Sequence, residues 1–438
     1  MIVGRDGWLF YRPGIDYVTG PGFLEPWRLH QRGRNLKDVG AGHIEPDPRI
    51  AILAFHDQCA RAGARLVLVP IPDKAMLEPW RLTSRFDAFA ALSPPNNPSY
   101  LEFLRELQTE GVEVLDVTPA TIHQGDVRFL AQDTHWAPTW MDDVAQSLAK
   151  YLGARHGLNA VEKLVSESAN VSRVGDLVDM LRLPADQRLF PPETVTIHPV
   201  VTTVGQPLQP NPSSSVLLLG DSFTNIYSAE PMGWGKGAGF AERLSFHLSQ
   251  RIDWIARNDH GAHATRQILA DEQRRGRDRL AGKRVVVWQF AMRELAVGDW
   301  KRIDIASKPA PSKSADELKF LTLAPGESRR LRGEVKRASA APVPGTVPYK
   351  DHIIAVHLVN LRDEQNRPID ADAALIYLWS MRDNVRTEAA KLVPGQSIAV
   401  VVRPWADVER TLRSINRRDL DDEALLLAEP AWGDELRK

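Results

Sequence analysis

The chain has 438 residues and one cysteine, Cys59. A single thiol rules out a disulfide framework within one chain. In "AILAFHDQCARAGARLVLV" Cys59 reads as a small buried hydrophobe on a helix that precedes a strand. Long apolar runs are missing too: none approaches the ~20 residues of a membrane-crossing helix. No signal-like segment precedes "MIVGRDGWLF", which leaves a cytosolic protein or one whose targeting segment lies outside this sequence. Neither charge sign dominates. With 55 Lys and Arg against 56 Asp and Glu, the formal net charge is −1, which argues against nucleic acid or a membrane surface as partner. There is no G-x-G-x-x-G or Walker-type loop, so no nucleotide cofactor is expected. No internal repeat is visible.

What remains is an ordinary globular composition, 43% hydrophobic and 25% charged, with apolar material for one full core and a smaller second one. The twelve tryptophans are many for this length. They suit either a core or stacking on sugar rings.

Up to about residue 305, short apolar runs alternate with helical patterns. "RLVLVPI" (65–71) follows a helix over 48–62. "VEVLDV" (112–117) follows "SYLEFLRELQTEG", with Gly111 as a natural helix end. "SVLLLG" (215–220), "RIDWIA" (251–256) and "KRVVVWQF" (283–290) complete the set. Apolar strands separated by helices predict parallel β/α units covered on both faces, here an α/β/α sandwich of about five strands. "DIASKPAPSKSAD" carries no hydrophobic period, and residues 306–316 read as a linker. Beyond it, apolar runs joined by Pro-Gly and Asn-Arg-Pro turns predict a β-sandwich over 317–438, with a short charged helix near its end. The expected domains are therefore 1–305 and 317–438.

"LLLGDSFTN" (217–225) delivers Ser222 just past the carboxyl end of a buried strand, the edge where open parallel sheets bind ligands. Gly220 permits a close backbone approach there. Backbone N–H groups near Ser222, joined by Gly261 in the loop after "RIDWIA", could face an oxyanion. Asp221 points away from the nucleophile and bonds backbone at the turn.

A serine nucleophile needs a histidine oriented by a carboxylate. "LAQDTHWAPTW" supplies Asp133 and His135. Residues two apart on an extended turn share a direction, so the carboxylate can meet Nδ1. His247 reads as a helix-surface residue. His123 lacks a carboxylate at suitable spacing. His260 and His263 have a metal-like spacing, but no neighbouring carboxylate completes a ligand set, so no metal is expected. Asn225 is either a polar site residue or a helix N-cap. Arg251 and Arg293 are candidates for binding sugar carboxylates or hydroxyls, with Lys74 a weaker one, against the alternative of solvated or structural cations.

"GDSF" with "DTHW" upstream resembles the SGNH hydrolase-like alginate O-acetyltransferases of the AlgJ and AlgX group, which place Asp-x-His ahead of the serine. Ordinary SGNH esterases carry D-x-x-H near the end of the domain, and no such pair follows Ser222. "VGRDGWLFY" (3–11), "LVPIPDKA" (68–75) and "VVVWQFAMREL" (285–295) resemble further pieces of the same family in the same order. The resemblance implies Ser222, His135 and Asp133 as a catalytic triad and an acetyl-serine intermediate. It also implies a polysaccharide acceptor, an acetyl donor or membrane-bound acyl-transfer partner, and a periplasmic location. The C-terminal domain would then hold the glycan. An acetyl-esterase of the same fold, or a non-catalytic glycan-binding subunit of an export complex, are the alternatives.

Overall fold

The computed structural model describes residues 1–38, 42–184, 186–305, 318–412, 415–420, 425 and 428–437. Its internal contacts divide the chain into two units. One is Met1–Val178 with Leu183–Ala306; the other is Asp179–Arg182 with Ser307–Lys438. The linker expected at 306–316 lies outside the described residues. Among the described residues, no helix is long and apolar enough to cross a membrane.

The first unit is built on five parallel strands: β1 (Arg65–Ile71), β2 (Glu113–Val114), β3 (Val216–Gly220), β4 (Asp253–Ala256) and β5 (Val285–Ala291). They lie in the order β4-β3-β5-β1-β2. These are the five runs legible in the sequence. β3 and β5 are buried along their whole length, as strands covered on both faces must be. Burial of each large apolar side chain contributes about 1.5–3 kcal/mol.

The helices α1 (Pro48–Arg61), α2 (Tyr100–Thr109), α3 (Pro138–His156), α5 (Phe240–Leu248) and α6 (Ala264–Arg274) cover the faces, and a single turn, α4 (Ser222–Asn225), follows β3. On one face Trp288 of β5 is gripped between Phe55 of α1, 5.6 Å away, and the Arg266 guanidinium of α6 at 4.6 Å. α3 and α5 pack together on the other. The result is the expected α/β/α sandwich. The chain runs outward from β1 to β2 and from β3 to β4, and β5 returns to the centre. The carboxyl ends of β3, β5 and β1 therefore stand side by side.

Residues 164–202, which give no clear pattern in the sequence, form two antiparallel pairings. Ala169–Arg173 pairs with Glu193–Ile197, and Leu164–Ser166 with Val200–Thr202.

The second unit is β-rich, as expected. Its main strands are β6 (Arg329–Ala338), β7 (His352–Arg362), β8 (Ala373–Arg382), β9 (Ser397–Pro404) and β10 (Ala431–Arg437). They form one continuous ring rather than the two facing sheets of a sandwich. β6 pairs with β7 and β9, β7 with β8, β8 in parallel with β10, and β10 with β9. Register shifts in β6 and at the start of β7 supply the local bending that closure requires. Leu331, Val356, Leu358, Ile376 and Val400 form one core of this unit. Tyr377, Trp405 and Trp432 form a second beside helix α7 (Trp405–Leu412). Of the twelve tryptophans only Trp27 is exposed, and Trp254 and Trp379 are half-buried, so most of them serve the cores.

Candidate active site

Ser222 opens α4 immediately beyond β3 and is 9% exposed. The turn is fixed by Asp221, whose Oδ1 accepts from Phe223 N (2.9 Å) and Gln289 Nε2 (2.8 Å), and whose Oδ2 accepts from Ala291 N (2.9 Å). The expected backbone-bonding role of Asp221 is thus what the turn shows. Asp221 also restricts the oxyanion donors. Phe223 N–H is spent on its carboxylate, Thr224 N–H on its carbonyl, and its own N–H on Gln289 Oε1. Ser222 N–H is the donor of this turn that these bonds leave over.

Gly220 acts through space. A Cβ there would lie 2.1 Å from Thr224 Oγ1, and its carbonyl is taken by Arg257 N–H. Gly261 packs against the Asp221 side chain, 3.2 Å from where its own Cβ would be, and its carbonyl accepts from Trp288 Nε1.

Asp133 and His135 lie on the loop that leads into α3. His135 Nδ1 is 2.6 Å from Asp133 Oδ1, and His135 N–H donates to the same oxygen at 3.2 Å. Both side chains are buried. The loop is held from several directions. Lys74 Nζ donates to the carbonyls of Leu9 (2.6 Å), Ala131 (2.8 Å) and Asp133 (3.1 Å). Glu193 accepts from Ala131 N and Gln132 N at 2.7 Å each, and Glu78 accepts from Arg128 N at 2.6 Å.

The 87 positions between His135 and Ser222 are closed by contacts of their neighbours. Trp136 Nε1 donates to Phe223 O (3.1 Å), Tyr227 Oη donates to Trp136 O (2.6 Å), and the His135 and Phe223 rings lie 5.0 Å apart. His135 Nε2 is buried and makes no hydrogen bond, so the histidine–serine bond itself is not formed in this structure. Such bonds are often long before substrate arrives.

Burial alone would push the Asp133 carboxyl up, but the His135 bond and charge, with donors from Asp176 and Trp234, hold it well below the usual carboxylate range. Burial likewise pushes His135 down, and the Asp133 bond and charge outweigh it, so the imidazole is raised above its ordinary value. The carboxylate thus stabilises the protonated imidazole, an arrangement that can serve a general base.

Arg293, at the carboxyl end of β5, is also brought here. Its guanidinium sits 5.5 Å from the Phe223 ring centroid and 5.4 Å from that of Tyr11, and Nη1 bonds Asp73 Oδ1 at 2.9 Å. Arg251 is not brought here. It precedes β4, at the opposite edge of the sheet, and pairs with Glu162 at 2.8 Å. It is therefore no part of this site. Asn225 is not an N-cap, because it ends α4 rather than opening a helix; its Nδ2 donates to Asn258 Oδ1 at 2.8 Å. Lys74 is a structural donor, wholly engaged with carbonyls.

Among the other histidines, His247 pairs with Asp142 on α3 (2.7 Å), and His123 is exposed on a short strand. The carboxylate that the sequence does not show beside His260 and His263 comes from Asp299, whose oxygen lies within 4.8 Å of both imidazoles' donor atoms. Burial, then the charges of Lys301 and Arg266, keep His263 neutral. Three such donors would leave water to fill the remaining positions of a divalent ion.

Sequence reasoning missed Asp176 and Trp234. Trp234 Nε1 donates to Asp133 Oδ2 (2.9 Å), as does Asp176 N–H (3.0 Å). Asp176 lies 43 positions from Asp133, after the strand Ala169–Arg173, with no spacing motif to mark it.

Among known proteins, the family described as the SGNH hydrolase-like domain of the acetyltransferase AlgX matches residues 1–292. The probable alginate O-acetylase AlgJ of Pseudomonas aeruginosa is 27% identical over 311 residues, 67% of this chain and 70% of its own. AlgJ of Pseudomonas putida is 26% identical over 309 residues, with the same coverage of 67% and 70%. Of solved structures, the O-acetyltransferase domain of P. putida AlgJ aligns with a TM-score of 0.47 and 22% identity, over 68% of this chain and 92% of that one. P. aeruginosa AlgX aligns with a TM-score of 0.43 and 14% identity, over 78% and 79%. With residues 1–292 of 438 matched, the chain belongs to the AlgX family of SGNH hydrolase-like acetyltransferases.

Proposed function

We propose that this O-acetyltransferase acetylates hydroxyls of an exopolysaccharide through an acetyl-Ser222 intermediate. His135 Nε2 takes the Ser222 Oγ proton as Oγ attacks the donor's carbonyl carbon. The Ser222 N–H, left over by the other bonds of its turn, then bonds the tetrahedral oxyanion. Collapse breaks the bond to the leaving group, which departs with the proton held on His135. A sugar hydroxyl then gives its proton to Nε2, attacks the acetyl carbon and leaves as the ester, and Oγ regains its proton. Asp133 keeps the other nitrogen protonated throughout. General-base help of this kind is worth roughly 10²–10⁴-fold.

The observation that carries the reading is the buried Asp133–His135 pair, with Nε2 left unbonded on a ring packed against the residue next to Ser222. Tryptophan abundance lends no support to a purely glycan-binding subunit, because most of the twelve are core. By analogy with the named relatives, the acceptor is an acidic polymer of the alginate kind. The acetyl group comes from a separate donor or membrane-bound acyl-transfer partner, and the work is done in the periplasm. The C-terminal β-rich unit then serves to hold the glycan, and Arg293, beside the Phe223 ring, is a candidate cation for binding it.

The test is p-nitrophenyl acetate turnover, with mass spectrometry for an adduct of about 42 Da on the serine. Wild type is expected to turn over and carry the adduct, and Ser222→Ala to do neither. Equal activity in both, without an adduct, would overturn the reading.

A further inference from the structure

The turn Asp133–Thr134–His135 is clasped by the segment Gly175–Leu177. Thr134 N donates to Asp176 Oδ1 at 2.8 Å, and Thr134 Oγ1 donates to Asp176 Oδ2 at 2.6 Å. Asp176 N returns a bond to Asp133 Oδ2, and Leu177 N donates to Gln132 O at 3.1 Å. Gly175 makes this approach possible: a Cβ there would sit 2.2 Å from Gln132 O.

The Thr134 hydroxyl also lies 3.1 Å from His135 Nδ1. While Asp176 is ionised, the single hydroxyl hydrogen goes to its carboxylate, so toward Nδ1 the hydroxyl presents a lone pair. That supports the arrangement set by Asp133 Oδ1 at 2.6 Å, with Nδ1 protonated and Nε2 the basic nitrogen. The Asp176 carboxylate itself stands 3.6 Å from Nδ1.

We propose that Asp176 is a positioning residue for acetyl transfer, which fixes the His135 tautomer through Thr134 and stabilises the imidazolium formed when His135 takes the serine proton. This rests on the acetyl-transfer reading above. Other charges and titratable groups acting on the cluster are Asp133, Lys74, Glu193, Arg293 and Tyr11. Of these, Arg293 opposes the imidazolium and Asp133 favours it. Burial, then the Asp133 charge, push Asp176 up to about 7, so its negative charge develops across the neutral range.

The experiment is an NMR titration of the His135 imidazole, read without substrate, beside the pH profile of kcat/KM for an acetyl ester. In Asp176→Asn the packing and the bond from Thr134 N can persist while the charge is gone, and the amide nitrogen then donates to Thr134 Oγ1 instead of accepting from it. The His135 pKa is expected to fall by about half a unit or more. The acidic limb of kcat/KM should move with it, and kcat should drop roughly tenfold or more. A role in folding alone leaves the imidazole titration of a folded variant where it was. Thr134→Val should lose activity through the hydroxyl, and Thr134→Ser should recover most of that loss.

An unchanged His135 titration in Asp176→Asn overturns the proposal. If that variant does not fold, a wild-type titration and profile in Thr134→Val does the same. Absence of serine-dependent turnover in the wild type would instead sink the acetyl-transfer reading, while the imidazole titration still reports on Asp176.

Discussion

Both oxygens of Asp133 are engaged. Oδ1 meets Nδ1 and N of His135, and Oδ2 accepts from Trp234 Nε1 and Asp176 N. A carboxylate so fully bonded cannot swing away from the imidazole, and its low proton affinity depends on those donors. Trp234→Phe removes one donor and leaves a cavity where part of the fully buried indole sat, while keeping an aromatic ring in place. A hydrogen bond to a charged group is worth about 1.5–3 kcal/mol, so kcat/KM should fall roughly 10–100-fold. Stopped assays of the variant against wild type would check this, and a loss of less than twofold would mean Asp176 N–H alone suffices. The Asp133–His135 contact was legible in the sequence because two residues on an extended turn share a direction. Trp234 and Asp176 were not, because each reaches Asp133 across the fold and neither sits in a local pattern. Arg251 was misread for the converse reason. A residue type suited to the chemistry lies near the right strand in sequence, but at the amino end of that strand instead of the carboxyl end.

At the scale of elements, the candidate site is assembled from connections rather than strands. The five strands were readable as apolar runs, since burial on both faces leaves no polar alternation to confuse them. The antiparallel pairings within 164–202 are strands of three to five residues, mostly exposed or half-buried, too short and too little buried for a clear period. Yet they bring in Glu193, which pins Ala131 and Gln132. Lys74 pins the same loop from β1. It gives Nζ donors to three carbonyls, and burial brings its pKa down to about 8. Lys74→Met keeps the stem and deletes the donors. Ala131 O keeps a bond from Leu9 N, while Leu9 O and Asp133 O lose the ammonium; each buried carbonyl left unsatisfied costs about 1–3 kcal/mol, so unfolding stability should fall by roughly 2–6 kcal/mol. Serine acetylation should weaken as well, because Asp133 O is one of the three. Urea unfolding gives the first figure and adduct formation the second. An unchanged urea midpoint would show that the loop is not held by this lysine.

For the whole molecule, nearly equal numbers of acidic and basic residues mean that net charge does not set the response to pH. Buried groups do. Burial pushes Asp176, Glu78 and Glu294 each up to about 7, against the opposing pull of His135, of backbone donors and of Arg293 respectively. Unfolded, these carboxyls titrate near 4. Between those values the folded chain holds protons that the unfolded chain has released, so stability is greatest below about pH 4 for these groups and is lost as pH rises toward 7. His135 acts in the same direction, since its raised pKa gives stability that disappears as pH passes through it. His263 opposes, because it is buried neutral and costs stability below about 6.5. Asp142, at about 2, and Asp133 below the usual range lose their contribution only in more acid solution. Near pH 6 the balance is a net uptake of protons on folding, so stability falls as pH rises through this range. Thermal unfolding should therefore give a higher midpoint at pH 5 than at pH 8, by an amount on the order of several degrees. Asp176→Asn should flatten that slope by removing one of the protons, and should be more stable than wild type at pH 8 while less active. A midpoint that rises from pH 5 to pH 8 would mean that these carboxyls are ionised in the folded chain, with water or cations reaching them.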